Sequence, residues 1–423
     1  MGRRYFGTDG VRGVVGRDLT PDLVERLGRA AALWAGEGAA VLIGRDTRES
    51  GRALEHAFAS GVASAGGHAV LAGVLPTPAV ALLRLDLGAV ISASHNPPEY
   101  NGVKLFGRDG GKLTEEAEEE IEELLDAEPR YPERGRIDTL LVAVDSYLDH
   151  VLERFGSDLE GLRLGVDCAN GAYAAIAPRA FAELGAKVVA IGDRPDGHNI
   201  NVGCGATDLR ALRQLVTREG LDLGVAFDGD GDRMLAVDER GRAVDGDQIL
   251  AVLALHLAVD VVAVTTMTNL GFHRLMAERG VRVITTDVGD RYVLEALRRE
   301  GGVLGGEQSG HILYLDGHVT GDGLTAALLL CRALDGRALS EAVAVMPRFP
   351  QAKENVPVRR KELSPSLRQE VDRVNGELAG RGRVLVRPSG TEPVVRVLAE
   401  AESEAEAHEL CARLAARVAR ELA

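Results

Sequence analysis

EHAFASGVASAGGHAVLAG, running from Glu55 to Gly73 in a chain of 423 residues, has an amphipathic helical period that closes at glycine and turns directly into a β-branched strand. The same order recurs in PRAFAELGAKVVAIG (Pro178 to Gly192) and HRLMAERGVRVITTD (His273 to Asp287). Each copy follows a strand-like run: VLIGRD, LRLGVDCANG or VVAVTTMTNLG. Glycine at a helix end with a short turn into a Val/Ile strand marks an αβ unit. Three copies predict three α/β domains of related build with mixed sheets. The competing view is that any α/β protein repeats such units by chance.

The last part of the chain has a different pattern. Charged and proline-bearing residues from Pro347 to Pro365 suggest a linker and an edge strand, and Ser366 to Leu378 reads as a helix. Two strands follow, RVLVRP and VVRVLAEA. Ser403 and Glu406 then form a capping box for a helix with Ala407, Leu410, Leu414 and Val418 on one face. This predicts a smaller α+β domain, and a helix over Asp145 to Phe155 joins the first domain to the second. A prior of roughly 100 to 200 residues per domain agrees with four, with expected bounds of 1–145, 146–248, 249–347 and 348–423.

Composition narrows the function classes. The most apolar stretch, Ile249 to Val264, contains His256 and Asp260 and is too short and polar to cross a bilayer. Arg3 and Arg4 lead into YFGTDGVRG instead of an apolar run, so no secretory signal is visible and a cytoplasmic location is expected. Cys168, Cys204, Cys331 and Cys411 are far apart with no CxxC pair, against a zinc site or a disulfide framework. A net charge of −15 opposes broad nucleic-acid binding. It leaves room for a small phosphorylated substrate, because charge is screened beyond about 8 Å at physiological salt. Of 49 basic residues only Lys104, Lys112, Lys187, Lys353 and Lys361 are lysines.

Lys104 ends the first loop that carries chemistry, SASHNPPEYNGVK (Ser92 to Lys104). The apolar run Leu87 to Ile91 before it reads as a buried strand, which puts Ser94 and His95 on a loop at a strand's carboxyl end, where open α/β sheets bind ligands. Ser94 is a candidate nucleophile, although Ser, Asn and Pro also make ordinary turns. A lysine pKa, unlike that of arginine, can be moved toward neutrality, which makes Lys104 a candidate catalytic group. After the strand LGVAF comes DGDGDR (Asp228 to Arg233). Its alternating carboxylates repel one another without a cation, and its glycines let them converge, which suits a hard cation such as Mg²⁺. Glu239 falls at the twelfth position of an EF-hand, but Arg233 stands where that loop needs glycine and the flanks look like strands. Arg233 would orient a carboxylate or hold a phosphate oxygen.

Three weaker loops follow. GGEQSGH (Gly305 to His311) offers Glu307, Ser309 and His311 to neighbouring hydroxyls, without the spacing of a GxSxG nucleophile elbow. DVGDR (Asp287 to Arg291) brings Asp290 and Arg291. RPSGT (Arg387 to Thr391), with Arg396 further on, combines guanidinium, hydroxyls and glycine-exposed amides into an anion cradle. FGTDGVRG (Phe6 to Gly13) adds Thr8 and Arg12 on a glycine-rich loop.

Taken together and in this order, FGTDGVRG, SASHNPPEYNGVK, DGDGDR, GEQSGH and RPSGTEP resemble the α-D-phosphohexomutase superfamily over essentially the whole chain. FGTDGVRG, TDVGDRYV and GEQSGH are similar to its branch acting on glucosamine phosphates, and the alternative is the branch acting on mannose and glucose phosphates. The resemblance implies four domains around a central cleft, each giving one loop. It implies a phosphorylated Ser94 that binds one Mg²⁺ together with Asp228, Asp230 and Asp232. Glu307 and Ser309 would hold sugar hydroxyls, and Arg387, Ser389, Gly390 and Thr391 would grip the phosphate that is not reacting. His95, Lys104 and Arg12 would belong to the phosphoryl-transfer neighbourhood, with His311 or Asp290 assisting proton transfer. The implied reaction interconverts glucosamine 6-phosphate and glucosamine 1-phosphate through glucosamine 1,6-bisphosphate, toward UDP-N-acetylglucosamine and the cell wall. The partner is a small sugar phosphate, not nucleic acid or membrane, and only family habit brings a homodimer into consideration.

Overall fold

The computed structural model describes residues 4–7, 9–128, 134–389 and 393–422. Contacts divide the chain into two units. The larger runs to Met267 and resumes at Val281–Val345; the smaller comprises Thr268–Gly280 and the residues from Met346 onward.

Three mixed sheets form the larger unit. The first contains Phe6–Gly7 (β1), Gly10–Val14 (β2), Ala40–Arg45 (β3), His68–Val74 (β4), Leu87–Ile91 (β5), Tyr100–Phe106 (β6) and Arg136–Thr139 (β7), in the order β1-β2-β6-β5-β3-β4-β7. The second contains Arg163–Asp167 (β8), Lys187–Ile191 (β9), Leu223–Phe227 (β10), Met234–Asp238 (β11) and Ala243–Val244 (β12), ordered β12-β11-β10-β8-β9. Val261–Thr265 (β13), Arg282–Thr286 (β14), Leu304–Gly306 (β15) and Ile312–Tyr314 (β16) make the third, ordered β14-β13-β15-β16.

One pattern is common to all three sheets: β4-β3-β5-β6, β9-β8-β10-β11 and β14-β13-β15-β16. In each, the first three strands are parallel and the fourth is antiparallel. The helix-then-strand repeat of the sequence therefore belongs to three domains of the same topology. Strands β5 (LGAVI) and β10 (LGVAF) are buried at every residue, as expected for strands covered on both faces. The stretch from Ile249 to Val264 divides between a helix, Gly246–His256, and β13. Among the described residues no helix is long and apolar enough to cross a membrane. All four cysteines are free and buried.

A single carboxylate ties the third domain to the second and to the linker helix. Asp322 caps the helix Gly323–Leu334, accepting from the Leu324 and Thr325 amides at 2.8 and 3.1 Å. It also accepts from the Tyr147 hydroxyl (2.8 Å) on the linker helix Ala143–Phe155 and from the Tyr173 hydroxyl (2.7 Å) of the second domain. His318 Nε2 and Thr325 Oγ1 add contacts at 2.8 and 3.0 Å. Burial alone would raise the Asp322 pKa, but the hydrogen bond and charge of His318 and the tyrosine hydroxyls outweigh it and hold the carboxyl below its usual range.

In the smaller unit, Gln351–Pro357 (β17), Arg383–Pro388 (β18) and Val394–Glu400 (β19) form an antiparallel sheet ordered β17-β19-β18, so β17 is the predicted edge strand. Helices Pro365–Leu378 and Glu404–Leu422 supply the α part of this α+β domain, and Ala407, Leu410, Leu414 and Val418 are all buried. The helix Leu270–Glu278 also belongs to this unit by its contacts. Asn269 exchanges two hydrogen bonds with the Phe349 backbone, and the Leu270 amide donates to the buried Glu400 carboxylate at 3.3 Å.

Asp322→Ala removes the acceptor from two tyrosines, a histidine and a helix N-terminus at once, and each buried donor left without a partner costs about 1–3 kcal/mol. Thermal unfolding should show a much lower midpoint than that of Tyr147→Phe, which loses one hydroxyl and about 1 kcal/mol.

Candidate active site

Three connections carry the candidate residues, and all occupy one topological place, between the third parallel strand of a sheet and its antiparallel neighbour. The first joins β5 to β6. Ser94 is 1% exposed with φ at +49°, a left-handed conformation that costs a non-glycine residue on the order of 1–3 kcal/mol. Its surroundings hold it there. The Ser94 amide donates to Ser92 Oγ (2.9 Å), which donates to Asp46 Oδ2 (2.6 Å). The buried Arg48 pairs with Asp46 through Nε (2.9 Å) and donates to the carbonyls of Ser94 (2.9 Å), Asn96 (2.8 Å), Tyr100 (2.9 Å) and Pro97. From the second domain, Asn201 Nδ2 donates to the Ser94 and Asn96 carbonyls at 2.8 and 3.2 Å.

The second connection, Asp228 to Arg233, meets the first. Ser94 Oγ donates to Asp228 Oδ2 at 2.5 Å. Thr77 of the first domain donates to Asp230 through Oγ1 (to Oδ2, 2.6 Å) and through its amide (to the carbonyl, 2.9 Å). Lys104 Nζ lies 2.8 Å from Asp230 Oδ2 and 3.3 Å from Asp232 Oδ2. The loops can come this close only because residue 229 is glycine: a β-carbon there would lie 2.6 Å from the Ser94 carbonyl oxygen and 2.8 Å from Asn201 Nδ2.

The third connection holds Glu307, Ser309 and His311. Glu307 Oε1 accepts from the Gly289 amide at 3.0 Å and Oε2 from Ser309 Oγ at 3.4 Å. His311 Nδ1 is 3.7 Å from Asp232 Oδ1, and its Nε2 is 3.5 Å from Asp290 Oδ2. Lys112 bridges Asp290 (2.7 Å) and Asp9 (2.5 Å), while Asp9 also pairs with Lys104 (3.4 Å) and Arg12. The result is a closed ring: Asp9, Lys112, Asp290, His311, Asp232, Lys104 and back to Asp9. Burial opposes ionisation of Asp290, but Lys112 and His311 outweigh it and lower its pKa to about 2.

The electrostatics correct one expectation. Burial opposes a charge on Lys104, yet Asp230, Asp9 and Asp232 together hold its pKa well above the ordinary lysine value instead of moving it toward neutrality. His95, with Nδ1 3.3 Å from Ser94 Oγ, goes the other way: burial, Arg233 and Arg12 lower it to about 4.

Asp228, Asp230 and Asp232 present carboxylate oxygens within 4.8 Å of one another, all buried. Burial and repulsion from Asp232 and Asp230 push the Asp228 pKa well above the carboxylate range. Among the described residues, no lysine or arginine forms a salt bridge with Asp228. Asp230 Oδ1 and Asp232 Oδ1 are buried without hydrogen-bond partners. Hard oxygen donors short of positive charge fit a divalent cation, and Ser94 Oγ lies within the same cluster.

Arg233 is close to this cluster, with Nε 3.8 Å from Asp232 Oδ1. Arg291 is turned elsewhere, to Glu118 (2.6 Å) and Glu115 (3.7 Å) on the helix Glu115–Glu123. In the smaller unit Arg387 and Arg396 stand opposite each other in register across β18 and β19, and the buried Ser389 donates its amide to the Val394 carbonyl at 2.9 Å. Like charges opposite each other on a sheet repel, and a bound anion would offset this. Thr8, Gly390 and Thr391 lie outside the described residues.

Sequence reasoning did not single out Asp9, Asp46, Arg48, Thr77, Lys112 or Asn201. Two signals were available. Lys112 shares the scarcity that drew attention to Lys104, and Asp46 and Arg48 directly follow β3 at a strand's carboxyl end, where ligand-site residues concentrate.

The phosphoglucomutase/phosphomannomutase family matches the chain in four segments: alpha/beta/alpha domain I over residues 3–132, domain II over 145–241, domain III over 245–349 and the C-terminal domain over 353–417. The chain belongs to this family. Its relatives include the phosphoglucosamine mutase of Pelotomaculum thermopropionicum, 50% identical over 97% of each chain, and that of Moorella thermoacetica, 48% identical over 97% of this chain and 98% of the other. Among solved structures, a phosphoglucomutase/phosphomannomutase family protein from Burkholderia thailandensis superposes with a TM-score of 0.85 at 26% identity, covering 100% of this chain and 99% of its own.

Gly229→Ala should force the Asp228 loop away from the Ser94 loop. Calorimetric titration with Mg²⁺ is expected to show affinity lowered about 10- to 100-fold, the range for residues that support metal ligands.

Proposed function

We propose that the protein interconverts glucosamine 6-phosphate and glucosamine 1-phosphate with Ser94 as the phosphate carrier. The observation that carries this reading is a buried serine hydroxyl 2.5 Å from a carboxylate of a buried acidic triad, next to a lysine held charged. Phosphoryl transfer depends on charge neutralisation and in-line positioning more than on covalent chemistry, and these are the parts present. Two phosphoglucosamine mutases near half identity over almost the full chain support the amino sugar as substrate.

Asp228, Asp230 and Asp232, with Ser94, would hold one Mg²⁺, which when bound supplies positive charge to the phosphoryl group. Lys104 and Arg12 add fixed positive charge beside it. In the first half-reaction the bond from Ser94 Oγ to phosphorus breaks as a bond from phosphorus to the sugar O1 forms. The O1 proton passes to a base, for which His311 or Asp290 is the candidate. The 1,6-bisphosphate then turns round, its 6-phosphoryl group returns to Ser94 Oγ, and O6 regains a proton. Glu307 and Ser309 would hold ring hydroxyls in both orientations. Arg387, Ser389 and Arg396, with Gly390 and Thr391, would bind a phosphate group.

Ser94→Ala is expected to abolish mutase activity with the fold retained, measured by a coupled assay and circular dichroism; full activity would end the carrier reading. Chelation should remove activity and added Mg²⁺ restore it. Among glucosamine, glucose and mannose 6-phosphates the first should give the highest kcat/KM. A clear preference for a neutral sugar would favour the alternative branch, and steady phosphate release would make the protein a phosphatase.

A further inference from the structure

We propose that Arg48 and Asn201 are positioning residues for phosphoryl transfer, a clamp built from two domains that fixes the conformation of Ser94. The inference rests on Ser94 as the phosphate carrier. A carbonyl oxygen has two lone pairs, and at Ser94 and Asn96 both are used, one by each domain. Arg48 Nη2 reaches the two carbonyls at 2.9 and 2.8 Å, and Asn201 Nδ2 reaches the same two at 2.8 and 3.2 Å.

The two donors suit this task for different reasons. Arg48 spreads its remaining donors over Asp46, Pro97 and Tyr100, which a lysine ammonium on a flexible stem could not reproduce. Asn201 has φ at +60°, a conformation asparagine tolerates better than most residues. Its Oδ1 is buried without a hydrogen-bond partner, so the two carbonyls alone set the orientation of its amide.

With these carbonyls held, Ser94 keeps φ at +49° and aims Oγ at Asp228. Without the Asn201 amide, the backbone at Ser94 can relax and Oγ leaves its line with the reacting phosphorus. Among the described residues, the groups proposed to hold the sugar, Glu307 and Ser309, share no hydrogen bond with Asn201. The loss should therefore fall on kcat and not on KM.

The test uses the full-length protein. Asn201→Gly keeps the left-handed backbone and deletes the amide; Asn201→Asp keeps the shape and sets carboxylate oxygens against two carbonyl oxygens. The expected result is kcat lower by about 10- to 100-fold in Asn201→Gly, the scale of a small misplacement of a reacting group, and lower again in Asn201→Asp, with KM unchanged. Intact-mass spectrometry should show phosphorylation of Ser94 by a hexose 1,6-bisphosphate slowed in proportion. Parental kcat in Asn201→Gly would overturn the inference, as would a loss expressed in KM. An active Ser94→Ala would overturn the carrier reading itself; an inactive Ser94→Ala beside a fully active Asn201→Gly would sink the clamp alone.

Discussion

Mutual repulsion among Asp228, Asp230 and Asp232 is the constraint around which the larger unit is organised. Removing one carboxylate from water costs several kcal/mol even after relaxation, and here three are buried with their oxygens within 4.8 Å. The protein offsets that cost mostly with groups from other domains. Lys104, Thr77 and Ser94 come from the first domain, and His311 approaches Asp232 from the third. The cation deficit that makes the triad suitable for a metal thus also gives the neighbouring domains a reason to meet there.

The repeated topology explains why the chemistry converges. In each of the three domains the chain leaves the third parallel strand at its carboxyl end and returns antiparallel, so each sheet offers one loop in an equivalent place. Similar backbones have been given different side chains: a hydroxyl in the first, carboxylates in the second, and a carboxylate, hydroxyl and imidazole in the third. A further layer of contacts joins them. Asp322 binds tyrosines from the linker helix and the second domain. The Gly323 amide beside it donates to the Gly231 carbonyl inside the acidic loop at 3.0 Å. Interdomain packing and loop geometry are therefore set by the same residues.

What could be read from the sequence depended on whether a residue's role is local. Helix-glycine-strand periodicity identifies the αβ units, while the edge strand of the smaller unit is read from charged and proline-bearing residues and its last helix from a capping box and an apolar face. DGDGDR stands out in the sequence because carboxylates at that spacing repel one another without a cation, and folding buries all three together. The direction of the Lys104 pKa is not legible in the sequence, because it depends on Asp9 and Asp230, distant in sequence and adjacent only after folding. The polar loop DVGDR after a strand suggests that Arg291 shares a cleft with Asp290, but its position on a helix turns it to Glu118. Arg48 and Asn201 act on backbone carbonyls, and nothing in a sequence reports which carbonyls will lack partners.

The proposed reaction makes a demand that the fold answers at the Ser94 loop. Ser94 Oγ must be the leaving group in one half-reaction and the nucleophile in the other, while the sugar reverses between them. A serine on a mobile loop would have to recover its alignment twice per cycle, each time losing conformational entropy that proximity catalysis depends on having already given up. Holding Ser94 in a strained left-handed conformation, with its amide on Ser92 and its carbonyl shared by Arg48 and Asn201, transfers that ordering from the catalytic cycle to folding. Motion is then left to the substrate. The strain is retained because the contacts that enforce it come from two domains at once, so neither domain alone can relax it.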